Sequence, residues 1–275
     1  MNKIYKCAPL PFAGQKRYFI RDFINVLRQV AGQVDTIVDL FGGSGLLSHT
    51  AKYVLPDCRV VYNDFDRYVD RLAAVEQTNE ILRAVKQCLI GVEPNRRLTE
   101  KQRTEVLDLI AAYEQRNGYA DIMTIGANVV FSGKWVKTLE ELRKHPMYNR
   151  VRPSAYECEG YLDGLEVVHM DYRELFEREK DNSRTLFVLD PPYLTTECGQ
   201  YESYWKLTDY LNVLRLLYGT KWVYFTSDKS QIVELCNWLG DNFGNASPMW
   251  GAEIHQRTNR LNYQAKFNDM MITRL

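Results

Sequence analysis

The sequence predicts an α/β protein built on a largely parallel, doubly wound sheet, with a mostly helical segment inserted into it. Short apolar runs that end in Asp, Asn or Ser alternate with helical patterns, as expected for strands covered by helices on both faces. From about Ala73 to Gly164 this alternation gives way to helical and then irregular, aromatic sequence. The predicted division is therefore 1–72 and 165–275 for the sheet domain and 73–164 for the insertion.

The predicted strands are short, rich in β-branched residues and almost continuously apolar. They are Thr36–Leu40, Arg59–Asp64, Leu165–Asp171, Thr185–Asp190 and Lys221–Ser227. Helical patterns follow several of them, over Gly45–Leu55, Tyr210–Tyr218 and Gln231–Trp238.

The composition excludes several classes of protein. No run approaches the roughly 20 apolar residues of a membrane span, and the N-terminus lacks the apolar run of a signal peptide, so we expect a cytoplasmic protein without a membrane partner. The 6 cysteines form no CxxC pair and the 4 histidines do not cluster with them, which argues against a metal site. With 35 Lys plus Arg against 35 Asp plus Glu, any nucleic-acid surface must be a local patch.

A glycine-rich turn, Asp39–Gly45 with the sequence DLFGGSG, follows the first strand and opens a helix. Glycines let the backbone turn sharply and let a ligand approach the main chain, while helix N-terminal amides favour polar or anionic groups. Asp64 ends the next strand, at the spacing where a nucleoside-binding α/β unit places the acid that binds ribose hydroxyls. Asp66 could take that role, although a helix cap fits its position better. Together these residues predict a nucleoside cofactor.

A second motif, Asp190-Pro191-Pro192-Tyr193, follows the strand TLFVL. Two consecutive prolines restrict the backbone and remove two amide donors, so this stretch of backbone offers carbonyl acceptors without the usual donors. Beside the Asp190 carboxylate they form a pair of acceptors suited to an amino group. Tyr193 offers a ring on which a flipped base can stack. The alternative is a structural turn with a buried tyrosine.

These motifs and their order resemble the Dam-type family of DNA N6-adenine methyltransferases of bacteria and phages. DLFGGSG is similar to the cofactor motif of that family, NDFD to its ribose-contacting segment and DPPY to its catalytic motif. Pro11–Arg17 resembles the element that closes over the methionine end of the cofactor, although Phe12 stands where the family usually has Trp and Gln15 where it usually has Gly.

The resemblance implies a Rossmann-like, S-adenosylmethionine-dependent methyltransferase sheet whose insertion recognises the target sequence. The catalytic residues would be Asp190, Pro191, Pro192 and Tyr193. The residues that contact S-adenosylmethionine would be Phe12, Gly14, Lys16, Asp39, Phe41, Gly43, Gly45, Asp64 and Asp171. Asp171 would accept a hydrogen bond from the adenine ring of the cofactor, and a strand-end cap is the alternative role.

The implied reaction is site-specific methylation of a flipped adenine in double-stranded DNA, inside a bacterial or phage-infected cell. Basic residues of the insertion are the candidates for DNA binding, namely Arg96, Arg97, Lys134 and Lys137; an ordinary solvated helical face would also explain them. An RNA adenine methyltransferase would share both motifs. A catalytically silent module that binds S-adenosylmethionine or nucleic acid is the third interpretation, although it predicts damage to motifs that are intact here.

Overall fold

The computed structural model describes residues 4–131, 135–192, 205–260 and 266–275. The strands are β1 Thr36–Asp39, β2 Arg59–Asn63, β3 Glu166–Val168, β4 Thr185–Leu189, β5 Lys221–Ser227, β6 Glu253–Arg260 and β7 Lys266–Arg274. The helices are α1 Ile20–Gln29, α2 Leu46–Val54, α3 Tyr68–Ala73, α4 Val75–Cys88, α5 Glu100–Asn117, α6 Ile122–Ala127, α7 Leu139–Arg143, α8 Tyr172–Glu179, α9 Leu207–Leu216 and α10 Gln231–Phe243.

The strands form a seven-stranded sheet in the order β3-β2-β1-β4-β5-β7-β6. The pairs from β3 to β5 are parallel, whereas β7 runs antiparallel to both β5 and β6. The strand order reverses beside β1, between β1 and β4. In doubly wound sheets such a reversal opens a crevice at the carboxyl ends of the strands, where ligands bind.

Successive residues of each strand pack against helices on opposite faces of the sheet. Ile37 packs with α1 and α2, whereas its neighbour Val38 packs with α8, α9 and α10. Side chains of a strand alternate between faces, so helices on both sides bury nearly every position of β1, β2, β4 and β5, whereas β3 and β6 at the edges of the sheet are largely exposed. The predicted Rossmann-like α/β fold is confirmed.

The chain divides into two compact units. The first contains Met1–Cys7, Gln15–Asp66 and Leu162–Leu275, and therefore the sheet; the second contains Ala8–Gly14 and Arg67–Tyr161. The second unit has its own apolar core, contributed mainly by α4, α5, α6 and α7. These boundaries place α3 and the segment Ala8–Gly14 with the helical unit, although the sequence assigned both to the sheet domain.

Side chains of α3 explain why Ala8–Gly14 belongs to the second unit. The Tyr68 hydroxyl accepts a hydrogen bond from the Leu10 amide (2.9 Å) and donates one to the Leu10 carbonyl (3.2 Å). Arg71 donates to the Pro11 carbonyl (2.8 Å) and forms a buried ion pair with Asp121. No periodic pattern signals these contacts because they join residues far apart in the chain.

Within the described residues, no helix combines the length and the apolar character needed to cross a bilayer.

Asn63, the last residue of β2, joins the carboxyl ends of the strands. Its side-chain amide donates to the carbonyls of Leu40 (3.0 Å) and Met170 (2.9 Å), and its carbonyl oxygen accepts from the Met170 amide (3.1 Å). Asn63 is 1% exposed, so water cannot replace these bonds if they are lost.

We therefore expect Asn63→Ala to lower the free energy of unfolding by about 2–4 kcal/mol, because it leaves buried backbone groups unsatisfied. Asn242→Ala is the matched control, since Asn242 is exposed and bonds only the Trp238 carbonyl of its own helix. It should change stability by less than about 0.5 kcal/mol. Urea unfolding followed by circular dichroism measures both, and equal losses would show that Asn63 does not join the strands.

Candidate active site

Polar side chains of the first unit collect where the parallel strands end. Asp39 is the last residue of β1, Asp64 directly follows β2, and Asp190 directly follows β4. Parallel pairing of β1 with both β2 and β4 brings these carboxyl ends to one edge of the sheet. The edge is the ligand-binding edge of α/β sheets in general.

The glycine-rich turn from β1 to α2 is closed by a hydrogen bond from the Gly45 amide to the Gly42 carbonyl (2.7 Å). Gly43 and Gly45 have φ of +50° and +72°, a region that favours glycine. A Cβ on Gly42 would lie 2.3 Å from the ring of Tyr62. At Gly42, therefore, the ring of Tyr62 occupies the space beside the backbone that the sequence assigned to a ligand.

Asp39 is a buried carboxylate with an unused acceptor. Its Oδ2 accepts from the Ser48 hydroxyl (2.7 Å), while its Oδ1 has no hydrogen-bond partner among the described residues. Burial, assisted by the negative charge of Asp190, raises the pKa of Asp39 to about 7. A cationic amino group beside Oδ1 would satisfy this oxygen and favour the ionised form. S-adenosylmethionine carries such a group on its methionine end, so Asp39 fits the cofactor.

Asp64 lies beside the same turn. The Tyr62 hydroxyl is 3.0 Å from Asp64 Oδ1 and 2.8 Å from the Gly43 carbonyl, so one proton is shared between two acceptors. The hydroxyl thereby links the predicted ribose acid to the glycine turn. The neighbouring ring of Phe65, which is 56% exposed, stacks on His169 at 5.5 Å. Sequence reasoning gave no role to Tyr62, His169 or Ser48, because no motif shows which polar side chain of a strand or helix turns toward a neighbouring acid or carbonyl.

Asp171 and Phe41 both contact other side chains of the first unit. Asp171 is the N-cap of α8, where it accepts from the Arg173 amide (2.8 Å), and it forms an ion pair with the Arg173 guanidinium. These bonds lower its pKa. The strand-end cap is therefore the role the structure shows, and an adenine contact by Asp171 stays a prediction. Phe41 packs against Tyr172 at 4.9 Å and Trp205 at 5.8 Å.

Asp190 forms an ion pair with Lys16, with 2.5 Å between Nζ and Oδ2 and side-chain exposures of 9% and 19%. Burial raises the pKa of Asp190, and the positive charge of Lys16 opposes that shift. Pro191 is buried and Pro192 half-buried directly after it. Tyr193 lies outside the described residues. The structure thus brings together Lys16 and Asp190, which the sequence assigned to separate tasks.

The other predicted cofactor residues of the N-terminal motif fall in the second unit. The edge of Phe12 packs on Tyr68, with 5.6 Å between ring centroids. Gly14 has a φ of +75°. A cofactor contact by either residue stays a prediction.

The predicted DNA-binding residues also belong to the second unit. Arg96 and Arg97 are exposed in the connection between α4 and α5, and Lys137 is exposed just before α7. Among the described residues, no hydrogen bond or ion pair joins either arginine to Lys137. Lys134 lies outside the described residues.

Comparison with known proteins identifies the class of enzyme. A protein of Haemophilus influenzae (strain Rd) named "Putative methyltransferase" is 39% identical over 250 residues, which cover 88% of this chain and 82% of that protein. The chain belongs to this methyltransferase family. No family model matches the methyltransferase. Among solved structures, precorrin-6y C5,15-methyltransferase of Geobacter metallireducens aligns with a TM-score of 0.37 and 10% identity. The alignment covers 99% of this chain and 100% of the precorrin enzyme. A score of that size carries no argument about substrate.

The raised pKa of Asp39 makes the stability of the cofactor-free methyltransferase depend on pH. Folding favours the protonated carboxyl of Asp39. The stability that this carboxyl contributes is therefore fully present below its ordinary pKa of 3.8 and is lost as pH rises through about 7. The loss amounts to at most about 4 kcal/mol. The side chain of the Asp39→Asn variant stays neutral at every pH, so this variant should not show the loss of stability. Thermal unfolding between pH 5 and 8 checks this, with Asp241→Asn, an exposed site, as control. Parallel pH profiles for wild type and Asp39→Asn would contradict it.

Proposed function

We propose that this methyltransferase transfers a methyl group from S-adenosylmethionine to the exocyclic N6 of an adenine in double-stranded DNA. The observation that carries the proposal is the Asp190 carboxylate, held by Lys16 at the end of β4 and followed by two prolines. Lys16 contacts Oδ2, and Oδ1 would accept a hydrogen bond from the substrate. The carbonyl of Pro191 is a second acceptor, and neither proline has an amide hydrogen to donate to it. A carboxylate and a carbonyl side by side suit an amino group, which donates two hydrogen bonds.

Residues of the first unit fit the cofactor. Asp39 Oδ1 would accept from the methionine ammonium, and Asp64 would accept from ribose hydroxyls in place of the Tyr62 hydroxyl. S-adenosylmethionine supplies an electrophilic methyl group attached to a sulfonium. The glycine turn ends at Gly45, the N-cap of α2, where no side chain caps the helix, and the first amides of a helix have no partner within it.

Asp190 would act on the target nitrogen. The lone pair of an adenine amino group is delocalised into the ring, which makes the nitrogen a poor nucleophile. Hydrogen bonds from that amino group to Asp190 and to the Pro191 carbonyl would favour a pyramidal nitrogen and stabilise the positive charge that develops as the N–C bond forms and the C–S bond breaks. Burial raises the pKa of Asp190 and so favours its protonated form, whereas the positive charge of Lys16 favours the ionised form. Tyr193 would stack on the flipped base.

The carboxylate test is Asp190→Ala, with Asp190→Asn as an isosteric companion. Both should fold and bind S-adenosylmethionine, because β4 and the glycine turn are unchanged, and methyl transfer should fall roughly 10²–10³-fold. Asp241→Ala, at an exposed site of α10, should retain wild-type activity. Tritiated methyl incorporation into duplex DNA, followed by nucleoside analysis, is the measurement. A product other than N6-methyladenine, preference for RNA of the same sequence, or full activity of both variants would contradict the proposal.

The cofactor assignment has its own test. Asp64→Ala should weaken S-adenosylmethionine binding by roughly 1–3 kcal/mol through the lost ribose hydrogen bonds. Asp57→Ala, an exposed acid at the opposite end of β2, is the control. Isothermal titration calorimetry without DNA measures both, and equal affinities would place the cofactor elsewhere.

A further inference from the structure

Two distant segments of the second unit form a short hydrogen-bonded ribbon. The Asn95 amide donates to the Asn149 carbonyl (2.6 Å), the Asn149 amide to the Arg96 carbonyl (2.9 Å), and the Leu98 amide to the Met147 carbonyl (2.9 Å). Arg97 and Tyr148 form an antiparallel bridge between these bonds. Paired residues of a bridge share a face, and their neighbours take the opposite face. Leu98 and Met147 are buried, so Arg97 and Tyr148 face away from the core.

A turn packs onto this outward face and completes a patch. The Tyr148 amide donates to the Val129 carbonyl (2.7 Å), and the ring of Phe131 meets the ring of Tyr148 at 4.9 Å, nearly perpendicular. The Arg150 guanidinium lies 5.4 Å from the Phe131 ring centroid and donates to the Val130 carbonyl (2.9 Å). We call Arg97, Phe131, Tyr148 and Arg150 the aromatic–arginine patch.

Phe131 is exposed although the core is adjacent. Val129 and Val130 of the same turn are 0% and 2% exposed, whereas Phe131 is 55% exposed. The turn therefore buries its two valines and presents the larger ring to solvent. An aromatic ring held in place by a neighbouring ring and a guanidinium, with its remaining surface exposed, offers a preformed apolar contact at low entropic cost.

The arginines of the patch form no ion pair with an acidic side chain among the described residues, a property they share with other exposed cations of the second unit such as Lys86. Ion pairs elsewhere in this unit join Arg67 to Asp70, Arg71 to Asp121, Arg103 to Glu100 and Lys144 to Glu140. No carboxylate in the described part of the chain pairs with Arg97 or Arg150. The segments 122–131 and 142–156, which contribute Phe131, Tyr148 and Arg150, contain no Asp or Glu, whereas Glu93 and Glu100 flank the segment of Arg97. The acid-free side of the patch is therefore the side of Arg150 and the two rings.

We propose that the aromatic–arginine patch is a contact surface for duplex DNA, in which Arg97 and Arg150 bind phosphates and the ring of Phe131 packs against a base. Guanidinium forks match phosphate oxygens, and apolar side chains between or beside bases anchor proteins on duplexes that are distorted. The choice of DNA rests on the proposed function. The patch shares Arg97 with the set predicted from the sequence and adds Phe131, Tyr148 and Arg150, while a DNA contact by Arg96, Lys134 or Lys137 stays a prediction.

The test titrates a fluorescein-labelled DNA duplex with full-length protein at several salt concentrations, without cofactor. Phe131→Ala should weaken binding about tenfold, in the range of one lost stacking contact, and Phe131→Trp should restore most of it. Arg97→Ala and Arg150→Ala should each lower the salt slope by about one. Ile90→Ala and Lys86→Ala, an exposed apolar residue and an exposed cation of the same unit, should bind as the wild type does.

Two results would overturn the patch: wild-type DNA affinity in Phe131→Ala and Arg150→Ala, or tighter binding of an RNA duplex of the same sequence. Circular dichroism and thermal unfolding of all patch variants should match the wild type, which excludes unfolding of the second unit as the cause. Methyl incorporation is measured separately. A wild type that binds DNA through the patch without methylating it would contradict the proposed function alone, and a wild type that methylates adenine while patch variants bind normally would contradict the patch alone.

Discussion

Asp39 and Asp190 end adjacent parallel strands and lie inside the first unit, where each carboxylate loses much of its hydration. Two negative charges in such a place also repel each other, so the arrangement needs compensation. Lys16 supplies it for Asp190 through a nearly buried ion pair, and the Ser48 hydroxyl supplies part of it for Asp39. The other oxygen of Asp39 has no hydrogen-bond partner among the described residues. The two carboxylates are therefore compensated unequally.

The glycine turn depends on the same edge of the sheet. Tyr62, at the centre of the first unit, fills the space that a side chain on Gly42 would occupy and places its hydroxyl between Gly43 and Asp64. Asn63, its neighbour in β2, bonds the ends of β1 and β3. Two consecutive residues of one strand thus hold the turn and the strand ends, which keeps the acidic side chains at defined positions before any ligand arrives. Preorganisation of this kind reduces the entropy lost on binding.

The second unit is held together by an apolar core and a few ion pairs. Its apolar core is built from its own residues. Three of its ion pairs join residues three or four positions apart, and the pair of Arg71 and Asp121 is buried. Arg97 and Arg150 are left without acidic partners next to an exposed ring. A surface that is cationic, aromatic and held by main-chain hydrogen bonds suits a polyanion with stackable bases better than it suits an apolar partner.

The sequence by itself determined the sheet, the glycine turn and the double-proline motif, because strand periodicity, glycine freedom and proline restriction are properties of neighbouring residues. It also placed Asp39, Asp64 and Asp190 at strand ends. Only the tertiary structure decided that Lys16 pairs with Asp190, that Asp171 caps a helix and binds Arg173, that Ala8–Gly14 joins the helical unit through Tyr68 and Arg71, and that Arg97 meets Tyr148. Apart from the local pair of Asp171 and Arg173, these contacts join side chains far apart along the chain, where no periodic signal exists, so tertiary packing sets them.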